Sequence, residues 1–334
     1  MTNRKKKAPK VSVCVVTYNH EAYIRKCLES IVEQEADFEF EVIVGDDCSV
    51  DGTRAIVQEF ADRYPKIVKP IFHEKNMGAT KNYLSVIKRA TGRLVCNCDG
   101  DDYWLPSKLR EQVKFMDMHP ECNVSGHRLY VTDDTGKISE DGRDTYPTVM
   151  QVSAFYEYGN FIPNSSTMFR ASSGRLPDIK GETIDFLFHI WRVKDKRIGF
   201  MNQYFGVYRR HGSSMTARSH DSLRYFNFNL TALEEIHKIV KDGEEYERRK
   251  FALCRACIKD FIANGRMDLA KEIANNSEKY VSKKRHGMLL KLMVSFSSPV
   301  GIVVRTKRKY MSPNSTLDVS HIHRNFSKHL DMAD

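Results

Sequence analysis

The chain has 334 residues, of which 41% are hydrophobic and 29% charged; this is the composition of a globular protein with an ample core and excludes a disordered or fibrous chain. Its net charge of +10 points to an anionic partner, with nucleic acid, anionic lipid and phosphorylated small molecules all open at this level. The basic first ten residues lead into a run too short for the apolar core of a signal peptide, so the sequence reads as cytoplasmic. Eight cysteines fit that compartment as reduced thiols. Cys254 with Cys257 and Cys96 with Cys98 lack the further ligands a zinc site needs, so both pairs read as packing.

The first half alternates strand and helix signals. Residues 11–16 form a near-continuous β-rich run, as expected of a strand covered on both faces. Residues 21–34 place Tyr23, Ile24, Cys27, Leu28, Ile31 and Val32 on one helical stripe. A second strand is expected at 40–44, and a helix at 53–64 that Asp51 or Ser49 is placed to cap. A third strand at 67–72 contains Pro70, which argues for an edge position. A short helix at 82–90, a strand at 93–98 and a helix from Pro106 to about Met118 follow. Such alternation implies a mostly parallel sheet with helices on both faces.

From 123 to about 217 the pattern is irregular, with short strands and polar loops expected. Helices return at 223–241, 246–263 and 267–280. Residues 1–10 are therefore read as a basic tail, 11–220 as one α/β domain and 221–334 as a helical region. The apolar stretch 287–304 is too short and too interrupted to span a bilayer. It precedes a cationic run at 305–309, which suits the surface of an anionic membrane. A core helix with a solvated basic end fits the same residues.

Ligands of open parallel sheets bind outside the carboxyl ends of the strands. Three strands here end in polar clusters: Thr17, Tyr18 and Asn19; Asp46 and Asp47; and Asp99, Asp101 and Asp102 around Gly100. Three carboxylates within four residues repel one another and become favourable around a hard divalent cation. Taken alone, the run also suits a solvated turn before Pro106. The aromatic pair Tyr103 and Trp104 behind it suits a sugar or base floor.

Residues 13–19, 42–53, 76–82 and 98–104, in that order, resemble glycosyltransferase family 2, the inverting enzymes of the GT-A fold, over roughly 10–215. The resemblance implies a Rossmann-like, mostly parallel sheet of the nucleotide-diphospho-sugar transferase type with a helical C-terminal appendage. It implies that Thr17, Tyr18, Asn19 and the Asp46–Asp47 pair hold the nucleotide, with one of the two aspartates accepting from a uracil imide. Lys81 stands where a basic residue meets the diphosphate, although a lysine there is also simply exposed. Asp99 reaches the ribose or the metal, Asp101 ligates Mg2+ or Mn2+, and Asp102 orients the sugar or supports the metal shell. Asp185 is the implied base, with Glu182 second, although helix-start carboxylates also occur for the dipole alone. His211 is implied as a ligand of the metal or diphosphate, with Arg210 or Arg209 offsetting phosphate charge. Asn164, Ser165 and Ser166 fall where relatives shape an acceptor pocket.

The implied activity is transfer of one sugar from a nucleotide-diphosphate sugar, UDP-linked in expectation, to a hydroxyl of a glycan or lipid-linked oligosaccharide in cell-surface polysaccharide synthesis. The expected partners are that donor, that acceptor and an anionic membrane, at the cytoplasmic face, with no nucleic acid. The Gln-x-x-Arg-Trp signature of processive members is missing, and Cys48 replaces a usual glycine. Two rivals remain. A nucleotidyltransferase would carry a Gly-rich loop after its first strand, and 17–20 contain no glycine. A non-catalytic sugar-nucleotide-binding module is opposed by the intact Asp101, Asp185 and His211.

Overall fold

The computed structural model describes residues 8–133, 135–143, 145–173, 176–179, 181–212 and 222–295. Strands β1 (Val11–Thr17), β2 (Phe40–Asp46), β3 (Val68–Phe72) and β4 (Leu94–Asp99) lie parallel in the order β3-β2-β1-β4. β5 (Tyr103–Trp104), β6 (Cys122–Thr132), β7 (Ile138–Ser139), β8 (Val149–Met150), β9 (Met168–Arg170) and β10 (Arg197–Arg209) complete one sheet. β6 and β10 run parallel to each other, while the short β9 lies antiparallel between β4 and β6. β3, which carries Pro70, is the outer strand, where a missing N–H costs no ladder bond.

Burial on both faces explains the apolar runs. Val11, Val13 and Val15 of β1 point into a core with α1 (Ile24–Val32), α2 (Thr53–Arg63) and α4 (Lys108–Met118). Cys14, between them, points into the opposite core with α3 (Ala79–Ile87), α5 (Ala154–Tyr158) and α6 (Asp185–Val193). The period-2 alternation of a strand thus feeds two hydrophobic layers at once. Cys96 and Cys98 are core thiols, as are Cys254 and Cys257.

Beyond the sheet come α7 (Arg224–Val240), α8 (Gly243–Ala263), α9 (Met267–Asn275), α10 (Ser277–Tyr280) and α11 (Lys284–Ser295). α7 belongs to both parts: Ala232 and Ile236 enter the sheet's second core, while Phe226 enters the core of the helical region. Of the apolar stretch 287–304, residues 287–295 lie in α11; 296–304 and the cationic run 305–309 lie outside the described residues. No helix among the described residues is long and apolar enough to cross a membrane.

Two differences from the sequence reading stand out. The irregular segment contains β6 and β10, which at 11 and 13 residues are the longest strands, not short ones. Buried polar residues Ser125, His127 and Arg128 interrupt the hydrophobic pattern of β6, and register shifts interrupt β10. The other is the start of α4 at Lys108, two residues after Pro106.

Candidate active site

The register of the parallel strands brings the polar clusters together. Thr17 pairs with Asp46, and Val16 pairs with Asp99, so the ends of β1, β2 and β4 stand side by side. The loops beyond them are laced to one another. The backbone N–H of Asn19 donates to Ser49 Oγ, and that of Val50 donates to Asn19 Oδ1. Asn19 and Cys48 both adopt positive φ, 54° and 63°. Position 48 is therefore a left-handed one, where glycine is the low-strain residue and a thiol-bearing side chain costs on the order of 1 kcal/mol.

The two aspartates of β2 and its loop have different surroundings. Asp47 is committed to structure: Oδ1 accepts from the N–H of Met77 at 2.7 Å and Oδ2 from that of Gly78 at 2.9 Å. Asp46 accepts from Arg54 through Oδ2, and its Oδ1 is buried without a hydrogen-bond partner. Thr17 Oγ1 and His20 Nδ1 are likewise buried and unpartnered. Tyr18 and Lys81 are exposed, Lys81 in the first turn of α3.

Gly100 permits the acidic turn. A Cβ there would stand 2.8 Å from Thr17 Oγ1 and 3.0 Å from His20 Nδ1. Asp101 Oδ2 meets His211 Nε2 at 2.9 Å, while His20 Nε2 approaches the same oxygen at 3.9 Å. His211 stacks at a tilt on Tyr23, with ring centroids 4.8 Å apart, and a cavity of about 180 Å³ beside it is lined by Tyr23, Asp133, Arg209 and Arg210.

Asp99 and Asp102 are held from below by the turn of Asn164–Ser166. Asn164 Nδ2 donates to Asp99 Oδ1 at 2.7 Å, the Asp99 N–H donates to Ser165 Oγ, and Ser165 Oγ donates to Asp102 Oδ2 at 2.5 Å. The Arg209 N–H donates to Asp102 Oδ1. Burial, with the charge of Asp101 added, pushes the Asp99 carboxyl up to about 7 and that of Asp102 well above its ordinary range. Behind Asn164 runs a relay that the sequence reading missed: Asn97 Nδ2 donates to Asn164 Oδ1, and Tyr83 Oη bonds the Asn97 amide. An asparagine and a tyrosine at apolar-flanked positions give no sequence signal by themselves.

This geometry places four residues expected at the acceptor differently. Trp104 is 2% exposed, packs in the core and spends its Nε1–H on the Ser165 carbonyl, so it offers no floor to a sugar. Ser165 and Ser166 are buried as well. Asn164 and Ser165 support the aspartates instead, since their polar atoms are turned toward Asp99 and Asp102.

Asp185 opens α6, where Oδ1 accepts from Asn160 Nδ2 and from the N–H of Phe186. Burial raises its carboxyl to about 6, and its charge is close enough to raise that of Asp99. Glu182 is exposed and lies against Gly78, at the start of α3; Thr80 Oγ1 ties that segment down by accepting from the Thr183 N–H. Arg210 is exposed and His211 buried.

The donor set fits a divalent cation in one way. Among the described residues no three His, Cys, Asp or Glu side chains form a ready metal cage. Mg2+ is commonly held by one or two carboxylates together with substrate phosphates. Asp101 supplies one such carboxylate, with the His211 imidazole beside it.

A family model described as glycosyl transferase family 2 matches residues 12–210. The chain belongs to this family. It is 34% identical over 220 residues to uncharacterized proteins of Mycobacterium tuberculosis and Mycobacterium bovis, 65% of this chain, and spans about 63% of their length. It is 34% identical over 251 residues to the putative glycosyltransferase EpsE of Bacillus subtilis, covering 73% of this chain and 77% of that one. Its fold is similar to that of Staphylococcus aureus TarS 1-349 in complex with UDP-GlcNAc, with TM-score 0.60, 20% identity and coverage of 86% and 87%. It is also similar to the mannosyltransferase PcManGT of Pyrobaculum calidifontis in complex with GDP-Man and Mn2+, with TM-score 0.53, 17% identity and coverage of 87% and 86%. These structural likenesses establish a GT-A-like fold; the chain is also 37% identical over 137 residues to the putative teichuronic acid biosynthesis glycosyltransferase TuaG of Bacillus subtilis, covering 40% of this chain and 52% of that one.

Proposed function

We propose that this protein is an inverting glycosyltransferase that moves one sugar from a UDP-linked donor to a hydroxyl of a glycan or lipid-linked oligosaccharide. The observation that carries this reading is the meeting, at adjacent parallel strand ends, of Asp46, Asp99 and the Asp101–His211 pair, with Asp185 within electrostatic reach of Asp99. Of the two aspartates, Asp46 is the one that keeps an unpartnered oxygen, Oδ1; this atom is buried, so the loops beyond β1 and β2 would have to part for the imide N–H of the base to donate to it. Asp99, oriented by Asn164, accepts from the ribose. Arg210, Arg209 and Lys81 offset diphosphate charge.

Asp101 and His211 would hold Mg2+ or Mn2+, which when bound supplies Lewis-acid stabilisation of the departing nucleoside diphosphate. Asp185 takes the proton of the acceptor hydroxyl as that oxygen attacks the anomeric carbon opposite the leaving group. Its neutralising proton is lost near pH 6, so the carboxylate is available as a base at neutral pH. A lipid-linked acceptor places the reaction at the cytoplasmic face of a membrane.

The test is nucleoside diphosphate release from a panel of UDP-, GDP- and dTDP-sugars, measured with Mn2+ and with a chelator. Release is expected from a UDP-sugar, lost on chelation and lost in Asp101→Asn. Undiminished release in that variant sinks the role of Asp101, and chelator-resistant release sinks the metal.

A further inference from the structure

We propose that the outward face of α11 is the surface by which this protein docks on an anionic bilayer. This presumes the membrane-borne acceptor proposed above. α11 buries Gly287, Leu290 and Val294 against the helical region's core. It leaves Met288 60%, Leu289 46% and Leu292 40% exposed. Among the described residues, the other exposed large apolar side chains, Tyr18, Val50, Met118, Tyr158, Tyr225 and Ile239, are scattered singly along the chain. Single exposed apolar residues are ordinary; three on one helix face form a patch.

The charge beside this patch selects the occupant. Lys284 and Arg285 precede Met288 and Leu289 by four residues, so cations and apolar groups make one continuous stripe. Lys283 adds a third cation at the helix start, and α11 contains no acidic residue. Cations at the N-terminal end of a helix oppose the dipole. The arrangement becomes favourable when anions sit there, because the free N–H groups and the three side chains then all meet negative charge. Anionic headgroups above an acyl layer satisfy both halves of the stripe: phosphates meet the cations while Met288, Leu289 and Leu292 enter the interface. A second copy of the chain would bring the same cations against themselves, which disfavours it.

Flotation with vesicles tests the surface on the full chain. Wild-type protein should rise with phosphatidylglycerol–phosphatidylcholine vesicles, far less with phosphatidylcholine alone, and be released by high salt. The combined variant Met288→Ser, Leu289→Ser, Leu292→Ser should float at least tenfold less. Lys283→Glu, Lys284→Glu, Arg285→Glu should also lose binding, since each cation at an anionic surface contributes about fivefold. Circular dichroism and nucleotide binding should stay unchanged in both variants, because α11 packs on the helical region and not on the strand ends.

Flotation of wild type that both variants retain overturns α11 as the face while leaving membrane attachment, through residues outside α11, in place. Equal flotation on neutral vesicles, or dimers that the apolar variant dissociates, overturns it as well. Absence of flotation alongside intact sugar transfer overturns the docking surface without touching the transferase reading.

Discussion

Asp185 sits in the first turn of α6, where the helix dipole favours a charge, yet burial holds its carboxyl up at about 6. A base must be ionised, so the Asp185 carboxyl should lower wild-type kcat/KM tenfold per pH unit below about 6, on top of the loss that begins near 7 as Asp99 takes up its own proton. Asp185→Asn should lower transfer by about 10²–10⁴-fold with donor affinity retained. Stability moves the other way. The folded-state value is raised above the ordinary carboxylate value, so the native state is penalised once the pH passes through both. Asp185→Asn should therefore stabilise the fold by roughly 1–3 kcal/mol at pH 8 and by almost nothing at pH 4. Thermal unfolding at the two pH values checks this; an equal effect at both would remove burial as the cause. Asn164 carries a second prediction at this scale. Asn164→Ala leaves Asp99 Oδ1 without its 2.7 Å donor, so donor KM should rise about tenfold while acceptor KM holds. A change confined to acceptor KM would restore the acceptor-pocket reading of that residue.

The β2–α3 contact sets how closely helix and strand pack beside Asp46 and Asp47. Gly45 of β2 faces α3 so tightly that an added Cβ would lie 2.2 Å from Asn82 Oδ1 and 2.5 Å from Val86. Asn82 Nδ2 in turn donates to the Gly45 carbonyl, tying helix to strand. Gly45→Ala must displace the Asn82 and Val86 side chains or move α3 itself, at a cost of about 1–3 kcal/mol. Because Gly78, the residue that caps α3, has its N–H held by Asp47, the same variant should also weaken nucleotide binding. An unchanged unfolding midpoint would show that α3 adjusts freely. At this scale the sequence was most legible. β1, β2 and β4 announce themselves because burial on both faces writes an unbroken apolar run, and Pro70 announced the edge strand. The long β6 and β10 were not legible, because Ser125, His127 and Arg128 are buried by partners distant in sequence and leave no period-2 trace. The acidic turn was legible in position: it follows β4 beside the ends of β1 and β2, as the clustering of polar residues at strand ends suggested. Trp104 misled, since an aromatic beside an acidic motif looks alike whether its indole faces the cleft or the core.

Across the whole molecule, cation and nucleotide should bind as one ligand. Nucleotide alone would meet a cleft crowded with carboxylates, whereas cation alone would find the Asp101–His211 pair and, among the described residues, no cage of three ligands. Each would therefore supply what the other lacks: the diphosphate would add oxygen ligands to Asp101 and His211, and the cation would offset the repulsion between phosphate and those carboxylates of the turn that stay charged. Such coupling is reciprocal, so UDP must raise Mn2+ affinity by the same factor that Mn2+ raises UDP affinity. A ligand that binds only the folded state stabilises it by mass action, about 2.7 kcal/mol at a hundred times its Kd. The rise in unfolding temperature with UDP and Mn2+ together should then exceed the sum of the two separate rises, and GDP in place of UDP should give a smaller one. In Asp101→Asn the excess should vanish while the effect of UDP alone persists, because Asp46 and the β1–β2 loops still hold the base. Strictly additive shifts in the wild type would mean that the two ligands occupy separate places, and that the acidic turn serves the fold instead of the diphosphate.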